Sequence, residues 1–111
     1  MEKYLVVYRM PVAGLEAWMA KPPEERKEVE EKMKGEWDAW TAENASSLIE
    51  TGGVGKTVRV DANGVTATKN DLMMYSMVQA DSPEAAAQLF AGHPHLGIPE
   101  ATIEIMPVKA M

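Results

Sequence analysis

The segment from Leu72 to Val108 constrains this chain more than any other, because it reads in order as strand, capped helix and strand. "LMMYSMVQA" (72–80) is an uninterrupted apolar run of strand length. "DSPEAAAQLFAG" (81–92) then carries helix signals in sequence. Asp81 or Ser82 can accept the free amide hydrogens of a first turn, Pro83 suits the first helical position, and Glu84 favours the positive helix end. Gly92 can take the left-handed conformation that closes a helix, and Pro94 prevents its resumption. "TIEIMPV" (102–108) alternates with period two, as a half-buried strand does.

The remainder extends this pattern backwards. "KYLVVYRM" (3–10) is a β-branched and aromatic strand stopped by Pro11. "VAGLEAWMAK" forms a short helical turn before Pro22-Pro23. From Glu24 a long helix is expected to run to about Glu50, with Val29, Met33, Trp37, Trp40, Ala45 and Leu48 as its buried stripe. Gly35 marks a bend or a close approach within it, and Thr51-Gly52-Gly53 reads as its stop. "KTVRV" and "VTAT" flank "DANG", a hairpin signal centred on Asn63-Gly64. "KND" (69–71) turns the chain into the 72–80 strand.

The βαββαβ order predicts one domain over 1–111: a ferredoxin-like α+β sandwich whose antiparallel sheet runs 4-1-3-2, with a hairpin extension. Two helices then cover one sheet face only. The other still carries apolar side chains, so a second copy of the chain is expected to cover it, sheet against sheet.

Charge and composition narrow the function. Eleven basic against 17 acidic residues leave a net charge of −6, which argues against nucleic acid or anionic lipid as partner. No apolar run approaches the roughly 20 residues that span a bilayer. "MEKYLVVYRM" reads as a first strand rather than a secretory signal. With no cysteine, thiolate catalysis, disulfides and cysteine-based zinc sites are excluded, and the reducing cytoplasm is the natural compartment. Nine methionines, three of them at 73, 74 and 77, indicate a core or interface filled by flexible side chains.

Candidate chemistry is sparse. "TGGVGKT" (51–57) suggests a phosphate loop, but Glu50 stands where its first glycine belongs, and helix and strand are in reverse order. His93 and His95, the residue type whose ordinary charge change lies near neutral pH, both fall in one short connection. Either His93 serves a pocket together with Asp81 or Tyr75, or it caps the second main helix as a cation. Arg59 and Glu104 fall on opposite edges of the expected sheet, where they either pair across a dimer or discourage edge-to-edge aggregation. Trp37 and Trp40 belong to the core or to an aromatic pocket wall between helix and sheet or at the subunit boundary. No catalytic triad, carboxylate pair or dinucleotide loop can be assembled, and neither a cofactor nor a metal is expected.

"WDAW", "ETGG", "TVRV", "MMYSMVQADSPEAAAQLFAGHPHL" and "ATIEIMPV" together resemble the YCII-related proteins, including the DGPF-domain group, over nearly the whole chain from Lys3 to Val108. The resemblance implies a bacterial cytoplasmic protein forming a homodimeric α+β barrel. It implies no settled reaction, although a His–Asp pair has been suggested to act in a pocket of some members. That pair is absent here: "KGEWDAW" holds no histidine, and after "GVTAT" the chain reads "KND" in place of the DGPF motif. The His93-Pro94 step does match the family pattern. Two readings follow: a homodimer of unassigned activity with a small-molecule pocket, or a non-catalytic dimeric binding or regulatory module.

Overall fold

A computed structural model describes residues 1–110. Its main sheet contains β1 (Glu2–Arg9), β2 (Leu48–Gly53), β5 (Leu72–Ala80) and β6 (Thr102–Pro107), in the spatial order β2-β5-β1-β6 with every neighbouring pair antiparallel. β3 (Thr57–Asp61) and β4 (Gly64–Thr68) form a separate two-stranded sheet. Three helices, α1 (Val12–Met19), α2 (Pro23–Glu43) and α3 (Pro83–Leu89), and a 3₁₀ turn at Pro94–Gly97 complete the fold.

Register decides which side chains meet. Tyr4, Val6 and Tyr8 of β1 lie opposite Val78, Ser76 and Met74 of β5 and opposite Pro107, Ile105 and Ile103 of β6. Because alternate residues share a face, this places Tyr4, Val6, Tyr8, Ser76 and Val78 on one side, where all are buried. Ala86 and Phe90 cover them, with Trp37 and Trp40 packed alongside. The Trp40 indole N–H fixes α2 to α3 by donating to the Leu89 carbonyl at 2.9 Å. α3 starts where local chemistry dictates: the Ser82 hydroxyl accepts from the Ala85 N–H at 3.1 Å and Pro83 occupies the first turn. Gly92, with φ of +75°, ends the turn that follows.

The opposite sheet face carries Leu5, Val7, Tyr75, Met77 and Met106, flanked by Arg9 and Glu104, whereas among the described residues the helix-side core residues Trp37, Trp40, Ala86, Leu89 and Phe90 pack on the Tyr4–Val6–Tyr8 face. The chain is also open for its size. Its accessible surface is 7765 Å², whereas a compact monomer of this mass exposes about 6,100 Å². Its radius of gyration is 15.8 Å, against about 13 Å for a compact domain of this length.

Three expectations are corrected. α2 ends at Glu43, and residues 48–53 form edge strand β2 rather than the last turns of a helix. Gly52 serves pairing with β5: a Cβ on it would sit 2.9 Å from Cε1 of Tyr75, so only glycine lets that ring lie across the strand. Gly35 is neither a bend nor a close approach, for α2 is continuous through it and nothing lies within 4 Å of its Cβ position. The buried stripe of α2 shrinks to Trp37 and Trp40, while Val29 is 47% exposed.

The hairpin turn also differs from the expected one. Asp61 pairs with Gly64, so Ala62 and Asn63 are the central residues, and neither has a positive φ. Gly64 at φ +127° lets the chain rejoin the ladder, and the Asp61 carboxylate accepts from the Asn63 N–H at 2.8 Å.

Candidate functional site

The two histidines form a buried polar group in the turn after α3. Both are buried, at 1% and 3% exposure. His93 opens the 3₁₀ turn, and its Nδ1 accepts from the His95 backbone N–H at 3.0 Å. An accepting Nδ1 carries no hydrogen, so the neutral ring holds its proton on Nε2. Nε2 has no hydrogen-bond partner among the described residues. Trp37 and Trp40 stand edge-to-face with the His93 ring at centroid distances of 4.4 and 4.5 Å. Tyr8 and Phe90 close the cage at 5.4 and 5.8 Å. The His95 Nε2 donates to the Arg9 carbonyl oxygen at 2.9 Å, tying the turn to β1.

Burial in this aromatic shell, with a smaller push from His95, pulls the His93 pKa down to about 4. Protonation would place a hydrogen on Nδ1 against the His95 N–H. His93 is therefore a neutral anchor of the turn and not a cation at the end of α3. The indoles of Trp37 and Trp40 form its walls, as core rather than as an open pocket.

The other candidates do not converge on it. Asp81 is exposed beyond the Ala80 end of β5, whereas His93 packs on Tyr8, near the far end of β1. Tyr75 points to the bare sheet face, where Glu50 hydrogen bonding and partial burial raise its pKa. Arg59 lies on the detached hairpin and not on an edge of the main sheet, so it and Glu104 do not occupy opposite edges of one sheet. Glu104 instead pairs with Arg9 of its own chain, which also holds Asp71 at 2.6 Å. Arg9 keeps the Asp71 carboxyl below its ordinary pKa and is itself raised by both carboxylates.

A second polar chain escaped the sequence reading. Tyr8 Oη lies 2.8 Å from Ser76 Oγ, which lies 3.0 Å from Thr51 Oγ1. The Thr51 hydroxyl donates to the Tyr75 carbonyl at 3.1 Å. With that hydrogen committed, Ser76 donates to Thr51 and Tyr8 donates to Ser76, which satisfies the fully buried serine. The alternation of β1 and β5 places Tyr8 and Ser76 on one face; their contact across strands was the only available signal.

Open space lies elsewhere. A cleft of about 520 Å³ separates α1, the N-terminal half of α2 and residues 97–99. Its walls are apolar, formed by Met10, Leu15, Trp18, Met19, Met33 and Ile98, with Lys21 and Glu30 at its margin. The Trp18 indole N–H faces Glu30 at 3.4 Å. That volume suits a drug-sized or smaller ligand. Neither histidine lines it. Among the described residues, no three His, Asp or Glu side chains come close enough to hold a metal ion, and no helix is long and apolar enough to cross a membrane.

No family model matches the chain, and no curated protein matches it in sequence. Among solved structures, the fold is similar to that of 5-chloro-2-hydroxyhydroquinone dehydrochlorinase (TftG) from Burkholderia phenoliruptrix, in complex with 2,5-dihydroxybenzoquinone. The TM-score is 0.54 at 10% identity, over 92% of this chain and 90% of that one. At that identity the likeness speaks for a shared fold alone.

Proposed function

We propose that this chain is a YCII-like protein that works as a homodimer of the dimeric α+β barrel type and binds a small apolar or aromatic molecule in the α1–α2 cleft. The cleft carries the reading: about 520 Å³ of space walled by Trp18, Leu15 and the four methionines Met10, Met19, Met33 and Met73 offers apolar contact with few polar groups to satisfy. The dimer is supported by the bare face around Leu5, Val7 and Met77 and by the excess of exposed surface. Binding without catalysis is favoured over an enzymatic role by the state of His93, whose ring is buried, neutral and already hydrogen-bonded.

A protein of the same fold holds a small quinone, so quinones and substituted phenols are the first ligands to try. The test is a thermal-shift and tryptophan-fluorescence screen of such compounds, run beside Trp18→Ala and His93→Phe. Ligands should raise the parent Tm, lose that effect in Trp18→Ala, and retain it in His93→Phe. A panel that shifts nothing, or shifts Trp18→Ala as much as the parent, contradicts the cleft as the binding site.

A further inference from the structure

The β3–β4 hairpin is unusual in how little of it is used by its own chain. Val58 faces Ala67 and Val60 faces Val65, so four apolar side chains share one face. Those valines are among the most exposed large apolar residues of the molecule, at 61%, 75% and 70% for Val58, Val60 and Val65. The other face carries Thr57, Arg59, Asp61, Thr66 and Thr68 and suits water. A lone two-stranded hairpin is marginal in water, and a bare valine face makes it more so. Solvent-facing strands ordinarily alternate apolar-in with polar-out; this one keeps the alternation and lacks the "in".

We infer that the hairpin is an arm whose valine face packs on a second copy of this chain, within the same association that covers the bare face of the main sheet. This rests on the homodimer reading above. The area argues for a second copy over an unrelated partner. Each protomer exposes about 1,700 Å² more than a compact chain of its mass. A pair burying that excess would remove about 3,400 Å² in total, within the range of permanent homodimers. The valine face carries no charge, which suits association of two chains that each bear −6.

The test is sedimentation of the full-length parent, the double variant Val60→Thr/Val65→Thr, and Arg59→Gln. Threonine keeps the shape and strand preference of valine, so the hairpin itself survives and only apolar contact is removed. The parent should be dimeric, the double variant should dimerise at least tenfold more weakly with unchanged circular dichroism, and Arg59→Gln, on the opposite face, should match the parent. The harsher Val60→Asp should weaken dimerisation further than the double variant does. A dimeric parent whose valine variants associate equally well overturns the arm and leaves the homodimer standing. A parent that is monomeric at micromolar concentration overturns both, and makes another protein the only occupant for the hairpin.

Discussion

His93 Nδ1 accepts a hydrogen bond from the backbone N–H of His95 at 3.0 Å, and that one contact sets the tautomer, the charge and the role of the ring. Two histidines two residues apart look like a metal or proton-transfer pair. Here the second supplies the donor that keeps the first unprotonated, while its own Nε2 fastens the turn to Arg9.

Acid should therefore weaken the fold in a defined window. His93 titrates at about 4 when folded and at its ordinary 6.5 when unfolded, so between those values the unfolded chain binds the extra proton. Stability is undiminished above pH 6.5, falls as the pH drops towards 4, and then levels off. The full loss is on the order of 3 kcal/mol. Urea denaturation at pH 7, 5 and 4 checks it, with His93→Phe losing about one proton's worth of slope; an NMR titration of His93 near 6.5 would contradict it.

Ser76→Ala should destabilise by about 1–3 kcal/mol, because the Tyr8 hydroxyl is left buried without its acceptor. Tyr8→Phe should cost less than Ser76→Ala in the same denaturant series, since it removes the donor along with the bond and leaves Ser76 still bonded to Thr51. Equal stability of Ser76→Ala and the parent would mean that the chain of hydroxyls carries no weight.

Two glycine replacements should have opposite signs. Gly35→Ala, on an open stretch of α2, should stabilise by about 1 kcal/mol. Gly52→Ala should destabilise by roughly 1 kcal/mol or more, since the new methyl meets the Tyr75 ring at 2.9 Å and overpacking forces that ring to move. Thermal unfolding of both variants is the check, and a gain from Gly52→Ala would remove the close approach as the reason for that glycine.

The elements legible in the sequence are those specified by neighbours along the chain. α3 is one, with Ser82, Pro83 and Gly92 each acting within a few residues. β1 and β5, as apolar runs of strand length, β6, by its alternation, and the hairpin strands, by their turn residues, are others. β2 was hidden because "LIETGG" is too short and too glycine-rich to announce a strand, and it owes its conformation to pairing with β5. The site was less legible for the same reason. Burial of His93 depends on Tyr8, Trp37, Trp40 and Phe90, which come from three other elements, and the Arg9–Asp71–Glu104 group joins residues up to 95 positions apart. The hairpin could be read from Asn63-Gly64, but its detachment from the main sheet is a tertiary fact.

The most direct measurement is the solution mass of the unmodified protein at micromolar concentration by light scattering. The proposed homodimer, which would cover the sheet face around Leu5, Val7 and Met77, predicts a particle of twice 12.2 kDa. A well-folded species at 12.2 kDa would contradict the account, for the exposed face and the hairpin would then stand in water unaided.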